Sequence, residues 1–494
     1  MLRTLLLVLL AGTVAAAQPP KPKDPPTKDI PPGTKEPNLP TVDVRKFTAT
    51  PAAAPLPTLK YELLPRLRDR TPGNAALDYH RAYILRPLWP RDPKESTKLN
   101  ETLIAWEDTP VGKLPVAEVK KHLLGYSQSF RALDAGAKAN HCDWELASKI
   151  SVKNIDLLLT EVQTFRELAR FQKLRVRVAL AENDFDSAVQ HIQTGIRLGK
   201  DVGEGATLIQ SLVGIAIVTI FLNELEQLIQ RPNSPNMYWA LTTLPRPILD
   251  PRSALEGEGR IFDNLFPNAK QLEKGPVSAE RANLLLEEML TAFNNMGTDA
   301  NIKPGGLALA GYVVFNAPGA SKHLVELGWP AATVEKMPPA QVVALRAITA
   351  YRIMTDDQTK CFSLPFPEAR AELAKVRTRA DKLRKDSGDV IVTAFALTMP
   401  AVEKVYEAHA RTNRRVAALR AIEAVRLHAA ANEGKLPKSL ADIKVVPVPH
   451  DPYTLQSFEY VVKDDNMFTL TLPPPTGDKP HVGNNFRYEI LVKR

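Results

Sequence analysis

The chain has 494 residues, 44% of them apolar and 24% charged, with 42 prolines against 24 glycines and a formal net charge of +9. That composition excludes a wholly disordered chain, a collagen-like repeat and a disulfide scaffold, and supplies material for roughly two or three domains at about 150 residues each. The basic excess is spread thinly, 43 basic against 40 acidic groups over residues 58–400 and 14 against 11 over 401–494, whereas nucleic-acid binders gather it in a patch, so no nucleic-acid partner is expected.

At the start, Arg3 precedes an apolar run over residues 5–10 and the small-residue site Ala15-Ala16-Ala17. A basic n-region, a short h-region and an A-x-A pattern predict a secretory signal over residues 1–17, too short for a spanning helix, and hence an exported protein, periplasmic or extracellular. No membrane span is expected after cleavage. Residues 18–57 then hold 12 of the 42 prolines, which predicts a disordered, partly polyproline-II tether. Export also sets the redox context, in which Cys142 and Cys361, the only two cysteines, either pair as a disulfide or stay as buried free thiols.

From residue 58 to about 400 the period is helical. Segments 155–180, 187–200 and 206–229 repeat Leu, Ile, Val and Phe three or four apart, and the run 212–222, apolar nearly all round, predicts a buried central helix. Within residues 179–195, Asn183 and Phe185 sit where a tight turn would be, and Ala188 and Gly195 sit where two helices would approach. This stretch resembles a tetratricopeptide-type hairpin, although no second copy recurs at a 34-residue period. Further on, Lys375, Arg377, Arg379, Lys382, Arg384 and Lys385 alternate with Leu373, Val376, Ala380 and Leu383, the pattern of a helix with a solvated basic side.

The end changes character. A basic helix over about 402–433, carrying Arg411, Arg414, Arg415, Arg420 and Arg426, stops at Gly434. Three alternating runs follow: Phe458, Tyr460 and Val462; Phe468, Leu470 and Leu472; Tyr488, Ile490 and Val492. The predicted fold is therefore mainly α, a helical-hairpin domain over 58–400 followed by a small α+β module over 401–494 with a long helix and a three-stranded antiparallel sheet. Gly434-Lys435-Leu436-Pro437, Asp451-Pro452-Tyr453 and Phe458-Glu459-Tyr460 resemble the globular part of type II secretion pseudopilins. That likeness implies a secretion-associated role and a loop where Asp451 or Asp464 could hold calcium, but the helix is internal here and lacks an apolar assembly segment. A helix buried in the main domain would weaken the secretion reading.

The mature region is also similar to a group of large exported planctomycete proteins, through residues 236–247, 335–343 and 446–453. In those relatives a glycine usually follows the loop threonine, where this chain has Leu455 after Thr454. The group implies an exported location and an architecture, and carries no activity.

Nucleophile, metal and phosphate motifs are not found: H-E-x-x-H, G-x-S-x-G, a Walker loop and paired C-x-x-C are all missing. No metal or cofactor is expected. Three constellations remain. His141-Cys142-Asp143-Trp144 sets a nucleophile beside a base, though neighbours on a helix point apart. Asp78, His80 and Arg81 flank Tyr79 and Tyr83, a surface hydrogen-bonding pattern. Tyr238, Trp239, Arg246, Asp250 and Glu256 outline an acidic pocket, unless Arg252 and Glu256 simply form an i,i+4 bridge at a helix start. The leading expectation is an exported helical scaffold that binds another envelope or secreted protein. The alternatives are a hydrolase or small-ligand binder at the Trp239 site, and a secretion-system component.

Overall fold

A computed structural model describes residues 41–145, 155–295, 306–387 and 399–493. The signal segment over 1–17 and the tether as far as residue 40 lie outside the described residues. The described chain is mainly helical, with a small mixed sheet.

Strand β1 (Asp43–Ala49) comes first, and β2 (Thr71–Asn74) leads into α1 (Ala75–Ile84), which the Asn74 side chain caps by accepting from the Ala76 amide at 3.1 Å. Helix α2 (Pro93–Asp108) begins with proline, whose missing N–H is an orphan at that position anyway, and Asp92 caps it. Then come α3 (Val116–Leu124), α4 (Ser127–Lys138) and β3 (Ala139–His141), the last paired in parallel with β2. Helices α5 (Ile155–Ala181), α6 (Phe185–Gly203) and α7 (Leu208–Ile229) form the heart of a first core. Between α5 and α6, Asn183 takes a φ of +60° and the Asp184 carboxylate accepts from the Ser187 amide at 3.0 Å. Gly195 lets α6 and α7 close up, since a Cβ there would stand 2.1 Å from the Phe221 ring. Helix α7 is long and apolar enough to cross a membrane by length and composition, yet Val213, Ile217, Val218, Phe221, Leu222 and Leu225 are buried in this core.

After the short α8 (Tyr238–Thr242), a second core gathers α9 (Arg252–Leu265), α10 (Ala269–Glu273), α11 (Ala279–Asn295), α12 (Gly306–Glu326), α13 (Ala331–Val334), α14 (Pro339–Thr359) and α15 (Phe366–Ser387). Helix α16 (Met399–Ala431) runs through both: Val402, Tyr406 and Ala410 belong to the second core, and Leu419, Ile422 and Val425 to the first. The division expected at residue 400 therefore does not separate the cores. The helix ends as read, with Gly434 at a φ of +81° and its amide donating to the Ala429 carbonyl at 2.7 Å.

Strands β4 (Glu459–Asp464), β5 (Met467–Leu472) and β6 (Phe486–Val492) pair antiparallel in sequence, and Phe468, Leu470, Leu472, Tyr488, Ile490 and Val492 all point into the first core. The sheet is nevertheless four-stranded and mixed, in the order β1-β6-β5-β4, because β1 adds in parallel to β6 with Phe47 opposite Ile490. This corrects both the three-stranded antiparallel expectation and the reading of residues 18–57 as tether throughout. The prolines lapse between Pro40 and Pro51, and in that window Arg45, Phe47 and Ala49 turn toward the body while Val44 and Lys46 stay exposed.

The two cysteines are free. Cys142 lies against the first core and Cys361 is buried in the second, and the two are not bonded to each other.

Candidate functional site

The acidic pocket expected around Trp239 does not assemble. Tyr238 is fully buried, its hydroxyl donating to the Pro447 carbonyl and its ring lying under the Arg420 guanidinium. Trp239 is half-buried and edge-on to Tyr238. Arg246 is exposed and reaches the Thr242 carbonyl at 3.3 Å. Asp250 is bound two-pronged by Arg252 at 2.6–3.0 Å, and this hydrogen bonding outweighs burial to hold its carboxyl below the ordinary range. Glu256 points to solvent. A salt-bridged helix start is what forms, with Asp250 rather than Glu256 as the partner of Arg252.

The other two sequence constellations are also structural. Burial, with the Asp201 carboxylate nearby, pushes the Cys142 thiol far up, so it is a poor nucleophile. His141 is exposed and bonded to the Asn140 side chain, while Trp144 is buried and donates to the Asp201 carbonyl at 2.8 Å. Asp78 is engaged by Arg81 at 2.7 Å, and the Tyr79 hydroxyl donates to Asp201 at 2.7 Å. Ser211 and His409, which the sequence did not join, lie 2.7 Å apart between α7 and α16. That spacing suits an activated nucleophile, but both side chains are buried, and burial drives His409 down to about 4. The pair ties two helices together and neither side chain faces solvent. Among the described residues no three His, Cys, Asp or Glu side chains converge as metal ligands.

Arg414, Arg415, Arg420 and Arg426 of α16 face inward, each onto a partner. Arg414 is bidentate on Asp451, both nearly inaccessible, and its guanidinium lies over Tyr453. Asp451 is thus already neutralised by a guanidinium, which removes it as a calcium ligand. Arg415 shares Glu226 with Arg45 and the Tyr488 hydroxyl, at 2.8–3.2 Å. Arg426 bonds Glu423, the Thr50 carbonyl and Ser234. These contacts fasten α16 to α7, β1, β6 and the 451–453 loop.

Two features remain open to solvent. The first is a cavity of about 410 Å³ lined by Trp89, Arg166, Glu167 and Arg170, between the α1–α2 loop and α5. Glu167 pairs with Arg86 at 3.1 Å, and Arg170 with Glu107 at 2.7 Å and Asn100 at 3.1 Å. Among the described residues Arg166 has no carboxylate partner, and burial with the neighbouring Arg170 lowers its pKa. The second is the outer face of α12, where Leu307, Val314 and Phe315 are 93%, 73% and 79% exposed. Gly311 and Gly319 meet nothing on the same side, and no charged residue occurs from Pro304 to Ser321.

Compared with family models, with curated proteins and with solved structures, the chain matches none of them.

Proposed function

We propose that the chain is an exported, non-enzymatic helical protein that docks on another envelope protein through the outer face of α12. The observation that carries this reading is the exposure of Leu307, Val314 and Phe315 along one uncharged helix face. Large contiguous apolar exposure marks interaction surfaces, and burying a Leu, Val or Phe side chain is worth about 1.5–3 kcal/mol. The two-core body, fastened by α16, serves as the rigid support. The signal segment and the proline tether carry it out of the cytoplasm and hold it away from the exit site, and the tetratricopeptide-like turn around Asn183 contributes an α-hairpin to the support. Burial of the arginine-rich helix weighs against a filament or secretion-system role, because the face a pseudopilin would offer for assembly is engaged inside the molecule.

The test is crosslinking of a tagged copy in the native host, followed by mass spectrometry, with a Leu307→Asp/Phe315→Asp double variant beside it. The wild-type chain captures one stoichiometric envelope protein and the variant, with unchanged far-UV circular dichroism, loses it. Capture of nothing above background, or undiminished capture by the variant, overturns the proposal.

A further inference from the structure

We propose that the cavity at Trp89, Arg166, Glu167 and Arg170 is a binding site for a small organic carboxylate, its carboxylate on the Arg166 guanidinium and its planar body on the Trp89 ring. The cavity's volume, about 410 Å³, is within the ~300–1,000 Å³ of small-molecule sites.

Among the described residues, the guanidinium groups of Arg86, Arg166 and Arg170 stand around it with two carboxylates, Glu167 and Glu107. Glu167 is taken by Arg86, which also stacks on Tyr83 at 3.9 Å. Glu107 is shared between Arg170 at 2.7 Å and Lys173 at 3.6 Å. Arg166 is left half-buried on the cavity wall with its five donors directed to no carboxylate among the described residues. A guanidinium fork of this kind matches a carboxylate in a bidentate way, and such charge-assisted bonds are the stronger ones. Its lowered pKa has the same origin, burial and the Arg170 charge, both of which a bound anion offsets.

Trp89 fixes the rest of the ligand. Its indole N–H donates to Ser96 Oγ at 2.6 Å, which holds the ring by its edge, and the ring is partly buried against the first core while it lines the cavity. The part of the indole that borders the cavity is the apolar surface on which a flat ligand body would rest. Glu167 on the wall favours a monoanion over a phosphate dianion, because like-charge repulsion from an existing carboxylate grows with the ligand's charge.

The measurement is isothermal titration of the full chain with benzoate, benzamide and inorganic phosphate. Benzoate gives saturable heat, neutral benzamide and phosphate bind at least about tenfold more weakly, and Arg166→Met weakens benzoate about tenfold or more. Arg166→Lys recovers part of that loss, and Trp89→Leu weakens benzoate without changing the far-UV spectrum. No saturable heat from benzoate in the millimolar range, equal binding of benzamide, tighter binding of phosphate, or an unchanged Arg166→Met each overturns the site. Because α12 takes no part in this cavity, failure here leaves the docking proposal standing, and the reverse holds too.

Discussion

Glu226 is the residue on which most elements converge: it sits on α7 and holds Arg45 of β1, Arg415 of α16 and Tyr488 of β6. Burial works to raise its pKa, but Arg415 and Arg45 outweigh burial and the net shift is downward. A carboxyl whose folded pKa is depressed stabilises fully above its unfolded value, about 4.3, and loses that contribution as pH falls through the folded value. Glu226→Gln removes the carboxylate that Arg415 and Arg45 share, leaving Arg45 with Asp43 at 3.2 Å, and should cost about 2–4 kcal/mol at neutral pH, the second carboxylate and the quarter exposure of Arg45 keeping it near the lower end of what breaking a buried pair costs. Urea unfolding of both proteins between pH 3 and 7 checks this. The wild-type advantage should shrink on acidification; a pH-independent difference would contradict the assignment. Leu455 offers the opposite case. It occupies a left-handed φ of +58° with its amide donating to the Asp451 carbonyl at 2.8 Å, so a tight turn forms here on a leucine. The left-handed conformation costs a non-glycine residue about 1–2 kcal/mol, glycine's extra freedom in the unfolded chain returns part of it, and Leu455 is half exposed. Leu455→Gly should therefore stabilise by roughly 0.5–1 kcal/mol, read as a higher melting temperature.

At the scale of elements, the apolar period placed the long helices, and the alternation over 458–492 placed β4, β5 and β6, most cleanly in β6, where buried Tyr488, Ile490 and Val492 alternate with less buried neighbours. β1 was hidden by its neighbours: a ten-residue proline-free window inside a proline-rich stretch is invisible to a composition average, and its partner strand lies at the other end of the chain. Similarly, an arginine-rich helix reads as solvated, and only the fold shows that Asp451, Glu226 and Glu423 wait for those arginines. The hairpin reading put Gly195 where the helices on either side of the 183–185 turn approach, whereas it faces Phe221 of α7. Gly195→Ala drives a Cβ into the Phe221 ring, and overpacking of that kind should destabilise by about 1–3 kcal/mol in chemical denaturation. An unchanged midpoint would mean that the two helices are not in contact there.

At the scale of the whole molecule, the contacts that join the two cores among the described residues include α16, which runs through both, Glu258 of α9, which accepts from the Leu208 amide at the start of α7 at 2.9 Å, and Gly257, which lies where a Cβ would stand 2.0 Å from the Ala206 carbonyl oxygen. Gly257→Ala should push α9 off that turn and lower the melting temperature, a prediction checked by calorimetry. Neither open feature could be read from spacing alone. Trp89 and Arg166 are far apart in sequence and meet only because the α1–α2 loop folds onto α5, and the apolar side of α12 looks like any core-facing stripe until its exposure is seen. The Trp239 group failed for the complementary reason, since residues close in sequence face solvent, core and each other in turn. The most direct measurement places a photoreactive residue at Val314 and, separately, at Leu77, an exposed apolar position on α1, and illuminates living cells of the native host. One adduct of a single envelope protein from position 314 and none from position 77 is the predicted result; no adduct from 314, or the same adducts from both, would contradict docking through α12.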